Sequence, residues 1–229
     1  MKKVFTLLTA FVLFASAGIA QVKFGPTAGV DYCIMSTTYQ NTANEPDNND
    51  PISGIGFHVG GAINLHFTDY IGLQPEVVFS QRSASDEFTL EYQDAGGNDV
   101  VAKTTSTLSH NHLKIPLMLM FSPNPKVSIY AGPQAAFLLG GKSSGESTLT
   151  VNNETTTTSL DVSGDEAVEG VSGFEFGACF GAQVNLDMGV SVGVRAERGF
   201  TPVNEDFQNV SETRWFVPQL TVAYMLGGE

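Results

Sequence analysis

The chain has 229 residues with 24 glycines, 16 phenylalanines and two cysteines, which is the length of one domain. Its formal net charge is −13, and a surface of that sign repels phosphate backbones, so nucleic acid is excluded as a partner. Mean hydropathy is close to zero at +0.02, and beyond the N-terminus no stretch is long and apolar enough for a membrane-crossing helix. That does not exclude the membrane, because alternating barrel strands leave a much weaker hydropathy signal than helices.

Residues 1–20 read as a secretory signal peptide. Lys2 and Lys3 supply a positive start, residues 4–14 an apolar core, and Ala17, Gly18, Ile19 and Ala20 a small-residue cleavage site. The mature domain is expected over residues 21–229. Its first strand spans 22–34, with Phe24, Pro26, Ala28, Val30 and Tyr32 on one face and Lys23, Gly25, Thr27, Gly29 and Asp31 on the other. A polar loop follows at 36–50. The second strand, 55–67, sends Phe57, Val59, Ile63 and Leu65 one way and His58, Gly60, Ala62, Asn64 and His66 the other.

The third strand, 71–92, sets Leu73, Pro75, Val77 and Phe79 against Gln74, Glu76, Val78, Ser80 and Arg82. A turn at 94–99, rich in Gly and Asn, leads to the fourth strand, 101–121. There Leu113, Ile115, Leu117, Leu119 and Phe121 form an unbroken apolar row opposite His112, Lys114, Pro116, Met118 and Met120. A period of two is the mark of a strand, since successive side chains leave the backbone on opposite faces. The fifth strand is expected at 127–140. A long Thr-rich, acidic excursion occupies 141–172, with a hairpin at 147–158 turned at Asn152 and Asn153. The sixth strand, 173–186, alternates most clearly, with Phe174, Phe176, Phe180 and Val184 outward and Glu175, Gly177, Cys179 and Gln183 inward. The seventh (189–200) and eighth (214–226) complete the count.

Eight strands joined by alternately long and short connections point to an all-β fold: an eight-stranded antiparallel up-and-down transmembrane β-barrel. The short turns at Asp69, at 123–125 and at Asp187 would be periplasmic and the long loops extracellular. An even strand number lets the sheet close and leaves no unpaired edge in lipid. Tyr70, Phe121, Tyr130 and Tyr224 would form one interfacial girdle, and Phe57, Phe79, Phe137, Phe174 and Phe216 the other. The alternative is a water-soluble, lipocalin-like barrel with its apolar face inward. The glycine-rich polar rows fit a crowded narrow lumen better than a solvated outside.

Three motifs in this order, Leu-Gln-Pro-Glu-Val-Val-Phe-Ser at 73–80, Leu-Lys-Ile-Pro-Leu at 113–117 and Tyr-Ala-Gly-Pro-Gln at 130–134, resemble the Bacteroidota outer-membrane β-barrel family related to PorT. Phe-Glu-Phe-Gly at 174–177 and Val-Pro-Gln-Leu at 217–220 fit the same pattern. The resemblance implies a small barrel of the porin or OmpX type in the outer membrane, with no activity attached. Through PorT it implies an association with type IX secretion. The chain departs from the usual barrel ending, an aromatic residue, by closing on Met225, Leu226, Gly227, Gly228 and Glu229.

Eight strands enclose a space that side chains just fill. The inward rows place a charged and polar network there: Glu76, Lys114, Gln134, Glu175, Arg195, Glu197 and Gln219. Two bases facing three acids can pair, which buried charge requires; the competing reading is a selective pore. Cys33 and Cys179 alternate inward on strands that are not neighbours, so two free thiols are expected. His58, His110 and His112 also point inward, but on non-adjacent strands with no matching carboxylate in view, so no metal site is expected. No nucleophile stands out with His and acid partners, no glycine-rich loop precedes a helix, and neither enzyme activity nor a cofactor is expected. The loop at 44–50 is rich in oxygen ligands but lacks calcium-loop spacing. The expected partners are outer-membrane lipid, lipopolysaccharide and a protein at the extracellular loops, with the chain a monomer. The expected role is structural or interactional, with a narrow pore and an accessory barrel of a secretion system as the rival readings.

Overall fold

The computed structural model describes residues 21–39, 51–93, 96–152, 154–164, 166–203 and 211–227. The signal-peptide segment 1–20, the loop at 44–50, Asn153 and Asp165 lie outside them. The strands are β1 (Gln21–Tyr39), β2 (Ile52–His66), β3 (Ile71–Gln93), β4 (Asp99–Asn124), β5 (Val127–Val151), β6 (Glu154–Gly164), β7 (Phe174–Asn185), β8 (Val190–Gly199) and β9 (Ser211–Tyr224).

Eight of them close a ring in the order β1-β2-β3-β4-β5-β7-β8-β9, with β9 antiparallel to β1 through pairs such as Val30↔Leu220. Each ring pair is antiparallel. Closure leaves the ring no unpaired backbone edge, the condition a bilayer imposes. The alternation decides which face is which. Phe24, Val30, Phe57, Val77, Leu117, Leu119, Phe176, Phe180, Val194 and Leu220 are exposed on the outside, while Gln74, Glu76, Lys114, Gln134, Arg195 and Gln219 are buried inside. The apolar face therefore points out, which removes the lipocalin-like alternative.

The short connections have turn chemistry. Thr68 Oγ1 accepts from the Tyr70 and Ile71 N–H groups, at 3.2 and 2.9 Å. Asn124 Oδ1 accepts from those of Lys126 and Val127, at 2.9 and 3.0 Å. The third turn, Asp187–Gly189, has Met188 at φ 67° and Gly189 at φ 82°.

At the other end the structure differs from the sequence reading. β5 does not stop at Gly140 but runs on to Val151, and β6 pairs with it from Gly141↔Gly164 to Val151↔Glu154. What reads as loop at 141–172 is largely hairpin. It turns beside Asn152, which has positive φ, and is longer than the expected 147–158. β3 and β4 stay paired up to Gln93↔Asp99, in agreement with the long third and fourth strands expected there, whereas β1 continues past its expected end to Tyr39. The outcome is a four-stranded sheet, β3-β4-β5-β6, rising beyond the ring. A register shift between Asn111 and His112, opposite the positive-φ Gly140, changes the parity of β5 there. Above it the odd-numbered residues of β5 continue the inner face.

Two small apolar clusters sit inside the ring. Cys33, Ala84, Val203, Trp215 and Val217, with Met35, Ile52 and Val171 against them, lie toward the long-loop end. Met118, Met120, Tyr130 and Cys179 lie toward the short turns. Tyr130 is buried in the lumen, which corrects its assignment to a girdle: its even-numbered neighbours on β5 also point inward, and parity overrides the aromatic preference for an interface. Tyr70, Phe121 and Tyr224 are exposed on the outer face.

Candidate functional site in the barrel lumen

Each of the seven network residues comes from a different position on the inner rows, and all are buried. β3 carries Glu76, β4 Lys114, β5 Gln134, β7 Glu175, β8 Arg195 and Glu197, and β9 Gln219. Two hydrogen-bonded groups result. In the first, the Lys114 ammonium donates to both oxygens of Glu197 at 2.8 and 2.9 Å, and Gln134 Nε2 reaches the same carboxylate at 3.3 Å. In the second, Arg195 Nη1 donates to Glu76 Oε2 at 2.8 Å, Gln74 Nε2 donates to the other Glu76 oxygen at 2.7 Å, and Arg195 Nε donates to Gln219.

The sequence reading omitted the third base. Arg82, fully buried on β3, donates to Glu175 at 2.9 and 3.0 Å and to Glu197 at 3.2 Å. It lies on the same inward row as Glu76, so its face was legible; its reach across the lumen to β7 and β8 was not. With Arg82 included, three bases meet three acids. The Arg82 guanidinium also lies 6.0 Å from the ring centre of the buried Trp215. His110 stacks edge-on against Trp215 at 6.2 Å and against His112 at 6.0 Å.

A second omission concerns His58. Its Nδ1 is hydrogen-bonded to Asp31, Ser80 Oγ donates to the other Asp31 oxygen at 3.2 Å, and Thr221 Oγ1 lies 3.2 Å from Nε2. Asp31 is thus the carboxylate partner of His58, one the sequence pattern alone does not identify. The register Gly29↔His58 and Asp31↔Gly56 brings them together, and at Gly29 a Cβ would stand 2.4 Å from the His58 ring, so only glycine lets the imidazole lie there. The acid–imidazole–hydroxyl order is that of a hydrolytic relay, yet all four side chains are buried. The cavity next to Thr221 measures about 10 Å³, the room of about one water. No group of three His, Cys, Asp or Glu residues suited to a metal occurs among the described residues. Cys33 and Cys179 are free and buried.

The two ends of the lumen differ. At the short-turn end a cavity of about 980 Å³ opens, lined by Lys23, Asn64, His66, Gln183, Asn185 and Ser191 among others. At the long-loop end Val171 and Val203 pack with Trp215, Cys33, Ala84 and Val217 across the mouth, held by Ser172 N–H donating to the Val203 carbonyl and Val203 N–H donating to that of Thr213. An open vestibule with polar side chains in its lining therefore leads to a charge-filled waist and then to an apolar cap.

The model of the family described as outer membrane protein beta-barrel domain matches residues 15–205. No curated protein sequence matches the chain. Among solved structures it is similar to Ail, the attachment invasion locus protein of Yersinia pestis, at 12% identity and a TM-score of 0.36, over 89% of this chain and 98% of that one. It is similar to Neisserial surface protein A at 12% identity and a TM-score of 0.37, over 88% and 97% of the two chains. It is also similar to OprG from Pseudomonas aeruginosa, at 10% identity and a TM-score of 0.36 over 91% and 97%.

Proposed function

We infer a role for this chain from one premise: it belongs to the outer membrane protein β-barrel domain family. It sits in the outer membrane, with its apolar outer rows against lipid. We propose that it is a barrel with a side-chain-filled lumen, working as a monomer bounded by lipid and lipopolysaccharide, whose task is carried out by the sheet β3-β4-β5-β6 outside the membrane. That sheet is the observation that carries the reading. Four strands extended well past the ring by continuous pairing are more than a connection needs, since a two-residue turn would join the same strands.

The lumen supports the same reading. Three bases paired with three acids, with an apolar cap above them, oppose the passage of ions. A narrow pore is the second reading, and the vestibule of about 980 Å³ is what favours it. A role as accessory barrel in secretion is supported by the motif resemblance to Bacteroidota barrels related to PorT, and by that alone. Single-channel recording in a planar bilayer tests the choice. Silence from the wild type is expected. Steady wild-type channels whose ion selectivity moves in Glu76→Ala or Lys114→Ala would replace the filled barrel with a pore.

A further inference from the structure

We propose that the free edge of β3 above the ring, residues 86–93, takes up an extended protein segment alternating apolar and basic residues, as an added strand of the protruding sheet. The proposal rests on the reading that this sheet does the protein's work, and it names the partner by its chemistry.

The edge is open on one side only. β3 pairs with β2 as far as Ser53↔Ser85, whereas its pairing with β4 continues to Gln93↔Asp99. Among the described residues nothing pairs with the outer side of 86–93. In an antiparallel sheet every second residue of such an edge turns its N–H and C=O groups outward, and an added strand satisfies them.

The two faces of the edge set the partner's pattern. Phe88, Leu90 and Tyr92 continue the inner face and are 57%, 49% and 52% exposed. The apolar row runs across the sheet, from Leu90 to Ala102 to Leu149 and from Tyr92 to Val100 to Val151. The opposite face carries Glu87, Thr89, Glu91 and Gln93. Glu87 is paired with Lys103 at 2.9 Å, while among the described residues Glu91 is in no ion pair. A strand added here sets alternate residues beside Phe88, Leu90 and Tyr92, where apolar side chains remove surface from water, and the others beside Glu87 and Glu91, where basic side chains are attracted.

Charge also rejects the commonest competitor. Two copies of this chain meeting edge to edge would oppose like charges, the device by which edge strands resist self-pairing. The other free edge, β6, lacks the pattern: its residues 155–158 are all threonine, and the turn Glu166–Val168 packs at its base.

The test uses the refolded full-length protein in lipid nanodiscs and a synthetic peptide alternating Lys and Val, matched in length to the edge. The expected result is binding that slows amide hydrogen exchange within 86–93 and leaves β6 unchanged. In the doubly substituted Glu87→Lys, Glu91→Lys variant, whose exposed positions leave folding intact, affinity for this peptide falls about tenfold or more and a Glu-Val peptide is preferred. Absence of binding, protection located on β6, or equal affinity of the variant would overturn the proposal. Failure here beside a silent wild type in bilayers removes the edge partner but leaves the filled barrel standing; channel activity removes the filled barrel itself.

Discussion

The Lys114 ammonium lies 2.8 and 2.9 Å from the two carboxylate oxygens of Glu197, and both side chains are buried. The pair joins β4 to β8 across the lumen, and Arg82 reaches the same carboxylate at 3.2 Å. Glu197→Ala leaves two cations facing a neutral side chain, and breaking a buried pair in this way costs about 3–5 kcal/mol. Replacing both members, Lys114→Met with Glu197→Leu, keeps Arg82 opposite Glu175 and conserves charge balance, so the double variant is expected to unfold later in urea than Glu197→Ala. Equal or greater loss in the double variant would show that the pair stabilises the barrel beyond its neutrality.

Much of this waist was legible because one rule, the period of two, assigns faces without knowledge of the fold. It put Glu76, Lys114 and Arg195 inside, and it puts Arg82 there too. What it cannot supply is stagger between strands. The contact of Asp31 with His58 depends on the register Gly29↔His58, and the reach of Arg82 to Glu175 spans β3 and β7, which only closure brings within range. β6 was illegible for another reason. Residues 155–158 are polar on both faces, so no alternation separates a strand in water from a loop. Tyr130 shows two rules in conflict, and the stronger one won: moving it to the girdle would reverse every side chain of β5.

At Gly132 the backbone of β4 leaves no room on β5 for a side chain. A Cβ there would stand 1.9 Å from the Leu117 carbonyl oxygen and 2.9 Å from the Met118 Cα. These are backbone atoms of the neighbouring strand, so relief requires the strands to part. Gly132→Ala is expected to cost about 1–3 kcal/mol and to lower refolding yield, read as loss of the heat-modifiable gel band. Gly145, with nothing within 4 Å of its Cβ position, is the control: Gly145→Ala should refold as the wild type does.

The thiols report whether the lumen admits water-borne reagents. Cys33 stands in the apolar cap and Cys179 near the waist, both fully buried. β1 and β7 are separated in the ring by β8 and β9, so the two do not pair with each other. A charged maleimide is expected to label neither in the folded protein and both after denaturation in hot detergent, scored by mass. Labelling of Cys179 in the folded state would show that the vestibule continues into the waist. Labelling of Cys33 alone would show that the cap opens.

Removal of the β5–β6 half of the outer sheet tests whether the barrel folds without it. Lys142 and Ser163 are opposite each other on β5 and β6, just above the point where β5 leaves β7 at Phe137↔Phe174. Replacing residues 143–162 by Asn-Gly, which favours the type I′ turn matching the twist of paired strands, removes the β5–β6 hairpin and preserves register below it. β4 loses its β5 partners from Leu108↔Ser143 to Val100↔Val151, but the pairs below Ser109↔Lys142, the network and the cap are untouched, so the shortened protein should fold with a heat-modifiable band. It would also remain silent in bilayers, since the cap belongs to Trp215, Val203 and Val171 rather than to the hairpin. Failure to fold would make the outer sheet part of the barrel's own stability, and the length of these strands would then need no partner to explain it.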